Sequence, residues 1–182
     1  MRTPTILTNE GRLFTCETSE IREYIFPITE IASSISKLCR FNGHLAGDNF
    51  YSVAQHCVHC FDVAPENIKL ACLLHDASEA YVTDIPGPYR QVFSLISKYI
   101  DYIQEIIYNK YEIITTEEMY KAVKEVDRKM FITELRQLAS ANNLYPDESG
   151  YNMKLDCWPH QMARNHFLNR FNNYMRKERE NK

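Results

Sequence analysis

Apolar residues that recur at steps of three and four are the feature that most constrains the fold of this chain. They run from about residue 28 into the C-terminal region, as in the series Phe93, Ile96, Ile100, Ile103 and Ile107. This spacing places side chains on one face of an α-helix. Only five glycines and seven prolines occur in 182 residues, so few positions interrupt the pattern. The sequence therefore predicts an all-α fold, a helical bundle whose core is formed by these stripes.

The helical segments can be read in order along the chain. Helices are expected in "ITEIASSISKLCRF", "NFYSVAQHCVHCFDV", "PENIKLACLLHDASEAY", "EEMYKAVKEVDRKMFITELRQLASA" and "CWPHQMARNHFLNRFNNYMRKER". Pro65 suits a first helical position, and Thr115 with Glu118 has the spacing of a capping box. Near the N-terminus, "TILTNEGRLFTC" alternates around Gly11 and predicts a small β-hairpin. No repeat or linker divides the sequence, so residues 1–182 are expected to form a single domain.

Charge and composition exclude several classes of protein. The net charge of −3 gives no general attraction to nucleic acid or to an anionic membrane, so neither is an expected partner. The sequence has no apolar run of membrane-spanning length and no signal peptide, which predicts a cytoplasmic protein. Six cysteines are expected to be reduced and mostly buried. Cys57 and Cys60 form a CxxC without a second ligand pair, and are interpreted as core residues rather than a structural zinc site.

A concentration of polar groups in one apolar segment is the strongest indication of function. In "LLHDASEAYVTDIPGP", His75 and Asp76 are adjacent and Glu79 follows three residues later. On a continuous helix these three side chains project to one side. Buried polar groups are costly unless a partner satisfies them. Imidazole and carboxylate groups in a dry setting are suitable ligands for a divalent ion.

Two further ligand candidates lie on other predicted helices. His56 is inside "SVAQHCVHC" and Asp127 is inside "AVKEVDRKMF", each beside core positions. A single histidine on such a face is ordinarily a satisfied core residue, and a single aspartate beside Arg128 is ordinarily a solvated acid. Their occurrence together with the His-Asp pair favours a shared metal site.

These residues resemble a known family. His56, the doublet His75-Asp76 and then Asp127 follow the H…HD…D pattern of the HD-domain metal-dependent phosphohydrolases. "RFNGH" at 40–44, "YSVAQH" at 51–56 and "LLHDASEAYVTDIPGPYR" at 73–90 look like the small bacterial and phage members related to 5′-deoxynucleotidases. The resemblance covers about residues 28–140. It implies an HD-domain helical bundle and a cytosolic location, in a bacterium or in a phage-infected host.

The resemblance also implies roles for individual residues. His56, His75, Asp76 and Asp127 would coordinate one divalent metal ion, which could be Co²⁺, Mn²⁺, Mg²⁺ or Zn²⁺. Glu79 would position or deprotonate the attacking water, and Asp84 would donate a proton to the leaving oxygen. Arg40 would hold the phosphate, because its guanidinium remains charged and matches phosphate oxygens. The less favoured alternative is a cation at a helix C-terminus.

Some positions near this motif differ from the family pattern or stay open. Gln55 stands where several relatives have Glu, which would alter the surroundings of the metal. Phe41 stands where relatives often have Trp and is expected to contact the nucleoside. His44 could reach a phosphate or be merely exposed, and His59 could contact substrate or pack in the core. Arg90 could assist with phosphate or cap the next helix.

The leading functional hypothesis is an enzyme, a 5′-deoxynucleotidase that converts a deoxynucleoside monophosphate and water to deoxynucleoside and phosphate. The alternative is a phage-type deoxynucleoside triphosphate triphosphohydrolase, acting for instance on dATP. A guanosine-tetraphosphate hydrolase or cyclic-nucleotide phosphodiesterase ranks lower, since the resemblance extends beyond the metal ligands. A non-catalytic nucleotide-binding module is a further alternative. By family analogy the protein is expected to be a homo-oligomer.

Overall fold

Helices make up most of the structure, with one small β-hairpin at its N-terminal end. A computed structural model of the chain describes residues 4–139, 141 and 143–181. The prediction of an all-α fold with an N-terminal hairpin is confirmed. No helix among these residues has the length and apolar character needed to cross a membrane.

The hairpin pairs two three-residue strands, β1 (Thr5–Leu7) and β2 (Leu13–Thr15), in antiparallel register. Its turn includes Gly11, whose φ of 77° lies in the left-handed region that glycine adopts without penalty. Phe14 on β2 is fully buried, and its ring packs against Tyr24, Phe26 and Tyr81. This aromatic cluster attaches the hairpin to the helices.

The helices follow the hairpin in chain order. They are α1 (Thr18–Ile21), α2 (Ile28–Ile35), α3 (Val53–Val63), α4 (Lys69–Leu74), α5 (Glu79–Val82), α6 (Gly87–Val92), α7 (Ser94–Lys110), α8 (Glu117–Leu138) and α9 (His160–Glu180). Short turns of 3-10 type lie at Arg40–Gly43 and Glu66–Ile68.

The core is built around α3. It packs against α4, α8 and α9, and its residues from Val53 to Cys60 are all buried. The stripes predicted from the sequence supply much of the rest, including Ile31 and Ile35 on α2 and Phe167 on α9. A buried helix such as α3 places any polar side chain it carries in a dry environment, which is the condition for tight metal binding.

One expectation about the helices is wrong in an important detail. The segment from Pro65 to Tyr81 is not one continuous helix, because α4 ends at Leu74 and α5 begins at Glu79. The intervening backbone forms i→i+3 hydrogen bonds, such as Glu79 N–H to the carbonyl of Asp76 at 3.1 Å. Side chains three residues apart eclipse in this tighter geometry. Asp76 and Glu79 therefore still project in similar directions, but because of this i→i+3 turn rather than because of a continuous α-helix.

Two smaller differences from the sequence-based expectations concern the N-cap of α8 and the apolar face of α7. The N-cap of α8 is Thr116, whose hydroxyl accepts a hydrogen bond from Met119 N–H at 3.1 Å, rather than Thr115. The stripe on α7 is buried only from Ile100 onward, and Phe93 is 56% exposed. Exposed apolar side chains are concentrated before this point, at Tyr89, Val92, Phe93 and Leu95.

Candidate metal centre and catalytic cavity

Four side chains predicted as metal ligands converge at one point. His56 Nε2 lies 3.1 Å from His75 Nε2 and 3.1 Å from Asp127 Oδ1. His75 Nε2 lies 3.3 Å from Asp76 Oδ2 and 3.8 Å from Asp127 Oδ1. Ligand atoms that share one ion at about 2.1 Å are separated from each other by roughly 3–3.5 Å. The two histidines meet this spacing with each other and each with one carboxylate, whereas the distances from His56 to Asp76 and from His75 to Asp127 are slightly longer, at 3.8 Å.

Three separate elements supply these residues. His56 lies in α3, which begins where the Ser52 hydroxyl accepts a hydrogen bond from Gln55 N–H at 3.1 Å. His75 and Asp76 follow the end of α4, and Asp127 lies midway along α8. The site exists only when these three elements pack together.

The donor set fits a cation. The Nδ1 atoms of both histidines face acceptors: Glu134 Oε1 at 2.6 Å from His56, and the carbonyl of Cys72 at 2.7 Å from His75. These acceptors favour a proton on Nδ1 and leave the lone pair on Nε2. Two lone pairs that face each other at 3.1 Å, beside two carboxylates, need a positive charge between them. A metal ion or protons on the imidazoles would supply it.

The pKa shifts of His75 and Asp127 agree with this need for positive charge between the two histidines. Burial alone would lower the pKa of His75, but Asp76, Cys57 and Asp127 raise it well above its ordinary value. The pKa of Asp127 is lowered well below its ordinary value, because hydrogen bonds from the two histidines outweigh the effect of burial. The cluster thus favours positive charge on its nitrogens and negative charge on its oxygens.

Thiols form part of the surroundings of this cluster. Cys60 Sγ lies 3.5 Å from His56 Nε2. Within the described residues, two sets of donor atoms lie close enough together to hold an ion, His56 with Cys60 and His75, and Cys57 with His75 and Asp76. The prediction that both cysteines are buried and unpaired agrees with the structure. A buried His/Cys/Asp cluster that could hold a metal ion is therefore present.

The cluster opens into a cavity of about 450 Å³. The lining residues predicted from the sequence for metal, substrate or catalysis are Arg40, Phe41, Asp76, Glu79, Asp84 and Asp127. The other lining residues are Ile85, Pro86, Gly87, Pro88, Arg90, Gln91, Arg128, Phe131 and Tyr145. This volume lies within the usual range of small-molecule sites, about 300–1,000 Å³.

Two carboxyl groups in the cavity have pKa values shifted toward neutrality. Burial, followed by the negative charges of Asp76 and Asp84, raises the pKa of Glu79 well above its ordinary value. Glu79 Oε2 is buried without a hydrogen-bond partner in the described part of the chain. Burial also raises the pKa of Asp84. Both carboxyls therefore hold a proton more readily than free side chains do, which is a property of acids and bases in catalytic sites.

Arg40 connects the cavity to the buried interior. Its Nη1 lies 3.4 Å from Asp76 Oδ2, and its Nε lies 3.1 Å from Glu134 Oε2. The paired carboxylates keep the pKa of this guanidinium well above its ordinary value despite burial. Arg40 is therefore a fixed positive charge next to the candidate metal centre.

Two residues predicted to contact substrate are not brought to the cavity. His44 is exposed and is absent from the lining. His59 is buried between the rings of Tyr51 and Trp158, at centroid distances of 6.2 and 4.9 Å. Burial lowers its pKa to about 4, so it is neutral at pH 7. For His59 the alternative of core packing describes its position, whereas Phe41 and Arg90 do line the cavity.

Sequence reasoning missed Glu134, Phe131, Arg128 and Tyr145. Glu134 is fully buried and accepts hydrogen bonds from both His56 and Arg40. Asp127, Phe131 and Glu134 are spaced i, i+4 and i+7 along α8, so they share one helical face. That spacing is a signal the sequence does contain. Tyr145 lies in the loop after α8 and has no comparable signal.

The comparisons with known proteins give a partial match. No family model matches the chain. An uncharacterized protein, YfdR, of Escherichia coli (strain K12) is 40% identical over 111 residues, which cover 61% of this chain. The matched region spans 60% of that relative's own length. The chain is thus similar to a protein whose name assigns no activity.

Proposed function

We propose that this chain is a metal-dependent phosphohydrolase of the HD type that acts on 2′-deoxynucleotides, with 5′-deoxynucleotidase activity as the first choice. The observation that carries the proposal is the convergence of His56, His75, Asp76 and Asp127 at the edge of a cavity that also holds Arg40, Glu79 and Asp84. Ligands, a phosphate-binding cation and two proton-exchanging acids are the components that phosphoester hydrolysis requires.

The side chains divide the reaction between them. A bound divalent ion would acidify a water molecule and neutralise phosphoryl charge. Arg40 would bind a nonbridging phosphate oxygen. Glu79 would accept the proton of the attacking water as the new P–O bond forms. Asp84 would donate its proton to O5′ as the P–O5′ bond breaks, which gives deoxynucleoside and inorganic phosphate.

The backbone before Asp84 supports its role. Thr83 has a φ of 96°, which is unfavourable for a β-branched residue. Such a conformation persists only where the surroundings enforce it, and it is common beside functional groups. Here it redirects the chain after α5 so that Asp84 lies on the cavity lining.

The charges of the cavity favour a monophosphate over a triphosphate. A triphosphate carries about four negative charges and is ordinarily bound by several cations. Among the described lining residues no lysine occurs. The three lining arginines already pair with carboxylates, Arg90 with Asp101, Arg128 with Glu148, and Arg40 with Asp76 and Glu134. Of the three, Arg40 lies beside the candidate metal centre. Little unpaired positive charge is therefore left in the cavity to balance a triphosphate, which favours a substrate with one phosphoryl group.

A product assay tests the proposal. Purified protein is incubated with each deoxynucleoside mono- and triphosphate and Mn²⁺, Co²⁺ or Mg²⁺, with ribonucleotides as controls. We expect orthophosphate from monophosphates; tripolyphosphate from triphosphates would instead support the alternative activity. The absence of turnover for both classes with all three metals would reject the hypothesis.

A variant pair links the activity to the cluster. Asp76→Ala should abolish both bound metal, measured by elemental analysis, and turnover. Asp48→Ala, at an exposed loop position, should change neither. Unchanged turnover in Asp76→Ala would remove this residue from the mechanism.

A further inference from the structure

Three aromatic residues line the cavity, in addition to its charged residues. Phe41, Phe131 and Tyr145, here called the aromatic wall, all line it. The rings of Phe41 and Phe131 stack with centroids 5.8 Å apart and an interplanar angle of 29°. Tyr145 meets Phe131 edge to face at 6.2 Å. The wall is therefore a continuous aromatic surface beside the candidate metal centre.

The aromatic wall is only partly buried. Phe41 and Phe131 are half-buried, and Tyr145 is 43% exposed. Elsewhere in the described chain, core rings such as Phe14 and Phe167 are fully buried, whereas Tyr89 and Phe93, which do not stack on the wall, are exposed. An aromatic surface that remains open to a cavity is typical of ligand sites rather than of cores.

Backbone conformation holds two of the three rings in place. Phe41 and Tyr145 have φ values of 57° and 56°, in the left-handed region that bulky residues avoid. Asn42 continues the same conformation at 51°. Two unfavourable backbone positions, on separate loops, thus place rings on one surface. Such positions are found where surrounding contacts over-determine the conformation.

Two arginines of α8 provide those contacts for the Tyr145 loop. Arg136 donates hydrogen bonds to the carbonyls of Tyr145 at 3.2 Å and Glu148 at 2.6 Å. Arg128 donates two hydrogen bonds to the Glu148 carboxylate, from Nε at 2.6 Å and from Nη2 at 2.5 Å. The Arg128 guanidinium also lies 4.4 Å from the Tyr145 ring centroid. These contacts hold the loop against α8, so the position of the Tyr145 ring in the aromatic wall is fixed by its surroundings.

We propose that the aromatic wall binds the nucleobase of the substrate by stacking, while Arg40 and the metal centre hold its phosphate. This inference rests on the proposed function and deepens it, by assigning the base-binding side of the same cavity. Every base presents a π-face, so stacking tolerates different bases. The wall therefore predicts a strong requirement for a base and little discrimination among bases.

A comparison of two substrates isolates the base. Deoxyadenosine monophosphate and 2-deoxyribose 5-phosphate share the phosphate and the deoxyribose, and differ in the base. We expect wild-type kcat/KM to be about 10- to 100-fold higher for the nucleotide, the range that aromatic stacking of one base provides. Similar kcat/KM values for the two compounds would overturn the assignment while leaving the phosphohydrolase proposal intact.

Phe131→Leu removes the central ring and keeps an apolar side chain. This variant should lower the preference for the nucleotide about tenfold, mainly through KM. Phe93→Leu, on an aromatic residue outside the cavity lining, should leave the preference unchanged. An equal loss for both substrates in Phe131→Leu would indicate a general packing defect and reject the wall as a base site.

Tyr145→Gly provides a second variant that does not threaten folding. Glycine adopts positive φ freely, and Tyr145 is largely exposed. The preference for the nucleotide should fall in the same direction as in Phe131→Leu, and an unchanged preference in both variants would refute the proposal.

Calorimetric titration with deoxyadenosine, which has no phosphate, separates the two hypotheses. Binding that is weakened in Phe131→Leu would support the wall even if no substrate were hydrolysed. Failure of the nucleoside to bind wild-type protein, together with equal turnover of the two phosphates, would reject it.

Discussion

Glu134 shows how a single buried residue can determine the state of a neighbouring functional group. Its carboxylate accepts a hydrogen bond from His56 Nδ1 at 2.6 Å and another from Arg40 Nε at 3.1 Å. The first bond directs His56 Nε2 toward the candidate metal position, and the second holds Arg40, the arginine proposed to bind phosphate. Glu134 is thus a positioning residue for both halves of the charged site.

Replacement of this carboxylate should weaken metal binding. Glu134→Gln keeps the shape but removes the negative charge, so the basicity of His56 and the pairing of Arg40 both decrease. We expect metal affinity to fall about 10-fold or more, as for other residues that support metal-binding histidines. Equilibrium dialysis with Mn²⁺ measures this. Glu125→Gln, on the exposed face of α8, is the matched control; equal affinities in the two variants would contradict the assigned role.

The helices and turns that form the site differ in how directly the sequence pattern predicts the placement of their side chains. On α8, Asp127, Phe131 and Glu134 share one face. One regular helix therefore supplies a candidate metal ligand, a ring of the aromatic wall and the support of His56. The turn after α4 has no such regularity, and its i→i+3 hydrogen bonds align Asp76 with Glu79. Helical periodicity therefore predicted the direction of these side chains, but not the backbone that produces it.

Helix α9 illustrates an element whose importance is mainly structural. It lies beyond the region of family resemblance, yet it packs on α3, which carries His56. Its residues Ala163, Phe167 and Phe171 are buried. Gln55 on α3 also binds the segment before α9, because it accepts a hydrogen bond from Trp158 N–H at 3.0 Å.

Truncation of one α9 side chain should therefore reduce the stability of the whole fold. Phe167 is fully buried, and Phe167→Ala should cost about 3–5 kcal/mol. For a chain of this size that lowers Tm by roughly 10 °C. Met162→Ala, on the same helix at 43% exposure, should change the free energy of unfolding by less than about 0.5 kcal/mol. Similar Tm values for the two variants would show that α9 is not part of the cooperative core.

At the scale of the whole molecule, metal binding should be coupled to folding and to pH. The four candidate ligands come from α3, from the turn after α4 and from α8, so they meet only in the folded state. A ligand that binds only the folded state at 100 times its Kd stabilises it by about 2.7 kcal/mol. Metal ions should therefore raise Tm by several degrees.

The size of this increase should depend on pH in a defined direction. In the metal-free protein the pKa values of His56 and His75 are raised well above their ordinary values. Their contribution to stability is complete below the unfolded pKa and is lost as pH rises through the folded pKa. A metal must displace these protons, so its apparent affinity rises with pH. The difference in Tm with and without Mn²⁺ should consequently grow from pH 6 to pH 8.

Thermal unfolding at pH 6, 7 and 8, with and without Mn²⁺, tests this coupling. Asp127→Asn should abolish the difference in Tm at all three pH values. A stabilisation by Mn²⁺ that is constant with pH, or that persists in Asp127→Asn, would contradict the proposed ligand set. The expected homo-oligomer stays a prediction of the family resemblance.

The sequence by itself determined the class of fold, and it indicated a polar cluster that could hold a metal ion. Periodicity predicted helices in the right segments, alternation around Gly11 predicted the hairpin, and ligand-type residues at helix interiors predicted a metal cluster. Each of these is a local property, because periodicity and burial cost act within one segment.

Only the tertiary structure decided which groups meet. It placed His59 in the core and His44 away from the cavity, although both lie near the motif in the sequence. It brought Glu134 to His56 across 78 positions of the chain, and it assembled the aromatic wall from three separate segments. Contacts of this kind depend on how whole helices and loops pack, and packing is set by the sum of many side chains rather than by any local pattern.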